Sequence, residues 1–162
     1  MDIVIDAYGE KDLAEMISIW NEIVEEGIAF PQLELLTIDS GKEFFDQQDF
    51  VGVAKCDDKV AGLYILHPNN VGRCGHQANT GYAVDSNMRG LKIGESLVRH
   101  SLQKAKELGY KLMILNAVVR DNESAIHIYN KLGFIKLGIV PQGFLLKTGE
   151  YQDTIVFYRE LK

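Results

Sequence analysis

The chain has 162 residues, 46% hydrophobic and 25% charged, with 23 acidic against 17 basic side chains for a net charge of −6. That length suits one domain with a sizeable core and that composition a soluble globular protein, while the acidic balance argues against a general nucleic-acid binder. No apolar run approaches the roughly 18 residues that a membrane span needs, so none is expected.

Residues 3–8 read as a first strand. Leu13, Met16, Ile17, Trp20, Ile23 and Val24 mark an amphipathic helix over 11–26, with Trp20 on its core-facing stripe. Residues 27–38 are irregular, with Pro31 breaking any continuation. A short helix over 39–48 follows. Strands at 50–56 and 60–66 are joined by the turn Asp57-Asp58-Lys59. The segment 67–77, with Pro68, Asn69, Asn70, Gly72, Arg73 and Gly75, is a loop. A strand over 78–84 leads through a second loop into a helix that runs to 108. Leu97, Val98, Ser101, Leu102, Ala105 and Leu108 recur along it at helical spacing. A buried strand over 111–119, a helix over 122–132 and strands at 134–140 and 152–160 complete the chain. The order β-α-α-β-β-β-α-β-α-β-β suits a mixed α/β sheet with helices on both faces.

The most informative stretch is Val84-Asp85-Ser86-Asn87-Met88-Arg89-Gly90-Leu91-Lys92-Ile93-Gly94. A glycine-bearing loop that opens a helix exposes backbone N–H groups with no intrahelical partner. The helix dipole adds partial positive charge there, so the loop suits a phosphate. Neither common nucleotide motif fits. G-x-G-x-x-G after a first strand is absent, and so is G-x-x-x-x-G-K-[ST].

Arg89 to Gly94 fill the pattern [QR]-x-x-G-x-[GA] except at Lys92, which stands where glycine is usual. Asn122-Glu123-Ser124-Ala125-Ile126-His127-Ile128-Tyr129-Asn130-Lys131-Leu132-Gly133-Phe134 fills N-x-x-A-x-x-[IL]-Y-x-x-[LF]-G-F, with Gly133 placed as a helix C-cap glycine. In this order and separation, the two motifs resemble those of the GNAT superfamily of acetyl-CoA-dependent N-acetyltransferases. The resemblance implies a single domain over 1–162. Its fold would be α/β (α+β), a mixed and mostly antiparallel sheet of about six to seven strands with helices on both faces. It also implies acetyl-CoA as cosubstrate and no metal. Arg89, Gly90, Leu91, Lys92, Ile93 and Gly94 would hold the pyrophosphate, and Asn122 would contact the cofactor. Backbone groups near Tyr82 and Val84 would pair with the pantetheine arm, in a gap where strand 78–84 splays from strand 111–119. Tyr129 would line the cofactor site and protonate the departing thiolate. Asn122 and Tyr129, seven apart, are expected on one helical face.

Asn116 interrupts the apolar run Leu112-Met113-Ile114-Leu115-Asn116-Ala117-Val118-Val119, and strand alternation puts it on one face with Ile114 and Val118. Buried there, its amide needs partners. Two readings stand: a core asparagine satisfied by neighbouring backbone, or a substrate contact in a cleft. Asn79 poses the same choice. The stretch Pro68–Tyr82, and the likeness that continues over roughly residues 60–160, resembles the GNAT enzymes that acetylate proline analogues. That resemblance implies substrate-binding roles for Asn79 and Asn116. Asn79 could also hold a relay water, since an amide orients water but takes no proton.

His67, His76, His100 and His127 show no metal-ligand spacing, and Cys74 has no recognisable catalytic partner. Two cysteines with no basic leader at Met1-Asp2-Ile3-Val4-Ile5 read as free thiols in a cytoplasmic protein. The function expected is direct acetyl transfer to a small amine, an amino acid or proline analogue among them, with a homodimer as the assembly expected. The rivals are a protein lysine or N-terminal acetyltransferase and an inactive CoA-binding regulatory module.

Overall fold

The computed structural model describes residues 2–162. Its strands are β1 (Ile3–Ala7), β2 (Phe50–Cys56), β3 (Lys59–Pro68), β4 (Gln77–Val84), β5 (Leu112–Val119), β6 (Ile135–Leu145) and β7 (Tyr151–Glu160). Its α-helices are α1 (Leu13–Glu26), α2 (Ile38–Asp46), α3 (Ile93–Glu107) and α4 (Glu123–Lys131). The seven strands form one sheet in the order β1-β2-β3-β4-β5-β7-β6. Every pairing is antiparallel except β4 with β5. A parallel pair needs a crossover, and α3 supplies it. The expected fold class and element order are therefore observed.

Two cores flank the sheet. Under α1 and α2, Met16, Trp20, Phe45, Val53 and Leu63 pack together, with the Trp20 and Phe30 ring centroids 4.3 Å apart. Under α3 and α4, Tyr64, Ile93, Leu97, Met113 and Phe157 do the same. Each large apolar side chain fully buried this way stabilises the fold by roughly 1.5–3 kcal/mol. Strand β3 is buried on both faces from Val60 to Leu66, which explains its unbroken apolar run.

Helix α1 ends at Gly27, whose φ of 63° makes the left-handed cap. The chain then runs irregularly to α2. Asn21 ties down the far end of this segment, donating to the Leu36 carbonyl at 2.9 Å and accepting from the Leu36 N–H at 2.8 Å. Thr37 caps α2 by accepting from the Ser40 N–H.

Four local expectations need correction. Helix α3 stops at Glu107, and Leu108 is exposed rather than part of its buried stripe. Asn122 is the N-cap of α4 rather than a residue within the helix, and its carbonyl accepts the first helical bond, from the Ile126 N–H at 3.1 Å. Strand β6 runs past Pro141 to Leu145. The register shift between Val140 and Phe144 absorbs the proline, on an edge strand where a missing N–H is tolerated. Asn116 is exposed, not buried in a strand face. Between Leu115 and Val118, β5 carries one residue more than its partner β7, and this bulge turns Asn116 and Ala117 out of the alternation.

Candidate active site

β4 and β5 pair at Gln77 with Leu112 and at Ala78 with Met113, and at no later position. From Asn79 to Val84, β4 keeps β3 as a neighbour, but its other edge is open. The bulge in β5 sits opposite this opening. The sheet thus forks at Asn79, with the backbone of Tyr82 and Val84 on the unpaired edge.

β4 runs into the loop 85–92. The side chain of Asp85 accepts from the Asn87 N–H and starts a short 3₁₀ turn. Gly90 has a φ of 84°, and Lys92, the N-cap residue of α3, is left-handed at φ 61° and ψ 23°. A left-handed residue followed by a helical one turns successive N–H groups toward one point, an anion-binding nest. The Ser96 N–H bonds back to the Lys92 carbonyl at 3.1 Å, so the amides of Ile93 and Gly94 precede the helix's own hydrogen bonds. The side chain of Ile93 is buried, and only its backbone faces the loop. Leu91 is exposed.

The left-handed conformation explains why glycine is usual at position 92: a Cβ there costs about 1–2 kcal/mol. Arg89 extends from the loop to Glu26 at 3.4 Å, at the end of α1. Glu95, in the first turn of α3, would repel an anion. Lys131 and Arg99, each 2.9 Å away, offset its charge and hold its carboxyl below the usual range, with the Lys131 hydrogen bond the larger cause.

The half-buried Tyr82 and the buried Tyr129 lie beneath the fork, their ring centroids 6.3 Å apart. The Tyr82 hydroxyl is spent on the protein. It lies 2.7 Å from both Thr80 Oγ1, which donates to it, and Ser101 Oγ. Burial pushes its pKa up to about 12, with the Ser101 and Thr80 hydrogen bonds working against the rise. Tyr129, on α4, packs against Tyr82 of β4 and, at 5.5 Å, against Phe157 of β7, strands that lie on either side of the fork. Burial pushes its hydroxyl well above the ordinary phenol value. Among the described residues it has no hydrogen-bond partner, which leaves it available to a ligand.

On the α1–α2 side of the sheet, the half-buried Asn79 donates from Nδ2 to the Ile114 carbonyl at 3.0 Å, a group the parting strands leave free, and to Asn69 Oδ1 at 2.9 Å. Asn116 Nδ2 donates to the same Asn69 oxygen at 2.7 Å. The structure therefore brings Asn79 and Asn116 together through Asn69. Phe30 walls this side: a Cβ on Gly81 would lie 3.9 Å from its ring. The tip of the β6–β7 hairpin reaches the same region, where the Lys147 N–H donates to the Gly27 carbonyl. Asn122 sits at the mouth of α4, its Oδ1 accepting weakly from the Ala125 N–H at 3.4 Å.

Sequence reasoning passed over Asn69 as one polar residue in a loop. The available signal was its place opposite Gln77 across the β3–β4 connection, where its N–H donates to the Gln77 carbonyl at 2.7 Å. Among the described residues no group of three or more His, Cys, Asp or Glu side chains is placed to hold a metal ion. Cys56 and Cys74 are free thiols. No helix among the described residues is long and apolar enough to cross a membrane.

A sheet forked between parallel strands, with an amide nest at the helix that crosses between them, is the architecture of an acyl-CoA-binding acetyltransferase. The profile of the Acetyltransferase (GNAT) family matches residues 13–134, and the chain belongs to that family. Among curated relatives, it is 32% identical over 99 residues to N-acetyltransferase aca1 of Schizosaccharomyces pombe, covering 60% of this chain and 47% of that one. It is 31% identical over 121 residues to spermidine N(1)-acetyltransferase of Escherichia coli, covering 70% and 60%. These matches span about half the length of the relatives. Among solved structures, YncA of Salmonella typhimurium, determined with its cofactor acetyl-CoA, superposes with a TM-score of 0.92 over 100% of this chain and 95% of that one, at 18% identity.

Proposed function

We propose that this chain transfers the acetyl group of acetyl-CoA directly to the nitrogen of a small amine, with amino acids and proline analogues as the first candidates. The carrying observation is the fork. It joins an anion-binding nest on one side of the sheet to a cluster of side-chain amides on the other, with the free hydroxyl of Tyr129 beneath.

The residues present fit the cofactor. The amides of the 90–94 loop suit its pyrophosphate, the open edge of Tyr82 and Val84 suits its amide-bearing arm, and Asn122 stands at the neighbouring helix mouth. Acetyl-CoA supplies an activated acyl group, and the chain's own residues orient and polarise. A backbone N–H on the open β4 edge would donate to the thioester carbonyl, where negative charge develops. Asn79 holds the acceptor or a water that relays its proton. Tyr129 serves the leaving sulfur. Burial holds its phenol above the ordinary value. A thiol has an ordinary pKa of about 8.5, so full proton transfer from the phenol is uphill, and a hydrogen bond donated into the developing charge does much of the work.

Exposure of Asn116 favours a second reading, a protein lysine or N-terminal acetyltransferase, because it leaves the acceptor end open. Lys92 takes the left-handed conformation that the nest requires despite its side chain, which weighs against an inactive module. A homodimer in the cytoplasm belongs to the main reading. The support for the dimer is β6, one of the two edge strands of the sheet, which exposes Ile135, Leu137 and Ile139.

An acetyl-CoA thiol-release screen tests the proposal, run with amino acids, azetidine-2-carboxylate and other cyclic imino acids, polyamines, aminoglycosides and lysine peptides. Turnover with a free amino or imino acid is expected. Turnover with peptides alone would select the second reading, and no turnover despite CoA binding would select the inactive module. Sedimentation of the same preparation as a monomer would remove the dimer.

A further inference from the structure

Asn69 follows the last residue of β3, and its side-chain oxygen accepts from both Asn79 and Asn116. A side-chain amide in isolation can be turned end for end, but this network cannot. The Ile114 carbonyl only accepts, so the atom of Asn79 that faces it, at 3.0 Å, is nitrogen. The same nitrogen lies 2.9 Å from Asn69, which must present oxygen to it. That oxygen has two lone pairs, and the second takes the nitrogen of Asn116. A main-chain carbonyl thereby sets the polarity of three side chains in series.

The consequence is chemical. Both N–H groups of Asn79 are used, and what remains is its carbonyl oxygen, which can only accept. Asn116 keeps its oxygen and one N–H. The cluster therefore presents two acceptor oxygens, on Asn79 and Asn116, and its free N–H groups lie on Asn116 and on Asn69, whose Nδ2 otherwise reaches only Gln77 Oε1 at 3.5 Å. An amine that gives an N–H to the Asn79 oxygen keeps its lone pair free for attack. A carboxylate finds no donor on the Asn79 side chain.

We propose that Asn69 is a positioning residue that fixes the polarity of the acceptor site, so that Asn79 grips the acceptor through its nitrogen and not through a carboxylate. This rests on the proposed small-amine acetyl transfer and narrows how the acceptor is held.

Two variants of the full chain separate this from a structural role. Asn69→Asp keeps an acceptor oxygen in place, and Asn69→Leu removes it. Nitrogen-15 NMR of the ligand-free protein reads the side-chain amide protons of Asn79 and Asn116 without reference to turnover. Protection from exchange is expected in the wild type and in Asn69→Asp, and its loss in Asn69→Leu. Unprotected amides in the wild type would overturn the fixed polarity. In acetylation of azetidine-2-carboxylate, Asn69→Leu is expected to raise KM about tenfold, with Asn69→Asp close to wild type and the Kd for acetyl-CoA within about twofold in both. A wild-type KM in Asn69→Leu, or an equal loss in both variants, would overturn the positioning role. A wild type that turns over no small amine would instead overturn the proposed function, and the NMR would still decide the polarity.

Discussion

The two ends of the site are built from different materials. At the proposed cofactor end the chemistry is backbone: amides at the start of α3, aimed by two left-handed residues, Gly90 and Lys92. Side-chain identity matters little there, as the exposed Leu91 and the lysine in a glycine position illustrate. At the proposed acceptor end the chemistry is side chain: three asparagines, from the end of β3, from β4 and from a bulge in β5, joined through one oxygen. A backbone site asks for a conformation, which many sequences supply. A side-chain site asks for particular atoms, and one substitution removes them. The cofactor end should therefore be the more tolerant of change, and the acceptor end the one that specifies what the protein does.

The largest effect is expected between the two ends. Tyr129→Phe removes a single hydroxyl from a well-packed ring and should lower kcat about 10²-fold, the scale of a lost proton donor, while CoA affinity stays put. Because burial raises its pKa, the phenol is protonated throughout the working range. The kcat–pH profile should fall uniformly on substitution, with its rise toward high pH, as the acceptor loses its proton, unchanged. An unchanged kcat with chemistry rate-limiting would remove the role.

Next comes a pair that tests the separation itself. A Cβ at position 94 would sit 3.3 Å from Ile128 Cδ1 and 3.8 Å from Val84. Gly94→Leu should thus force α3 from α4 and weaken CoA binding by a factor of tens, on the order of 2 kcal/mol, as read by calorimetry. Asn79→Ala should raise the acceptor KM about tenfold and leave CoA binding alone. If Asn79→Ala weakened CoA as much as Gly94→Leu does, the two ends would be one site.

The smallest effect is Lys92→Gly. It relieves a left-handed Cβ but frees the unfolded chain, so the net gain in stability should not exceed about 1 kcal/mol. Thermal unfolding should show a rise of at most a few degrees. CoA affinity should stay within about threefold, or fall in a salt-dependent way if the lysine reaches a phosphate. A large gain in affinity would mean that the lysine obstructs the nest.

The sequence by itself determined the elements and the form of the loop proposed to hold the cofactor. Hydrophobic period, turn residues and glycine placement are local, and they specified α1, the β2–β3 hairpin, the strand–loop–helix unit at 84–94 and the Gly133 cap, whose φ is 85°. The anion nest was legible for the same reason, since a loop and a helix start are contiguous in the chain. Tertiary structure decided the acceptor end. Alternation placed Asn116 inside a strand face, and a bulge, visible only against β7, turned it outward. Asn69 gained a role only when the fork at Asn79 freed the Ile114 carbonyl and the chain brought three distant amides within hydrogen-bond reach. The two tyrosines divide the same way. Nothing local tells that the Tyr82 hydroxyl is spent on Ser101 and Thr80 while that of Tyr129 is left free, because the partners come from other elements of the sheet and from α3.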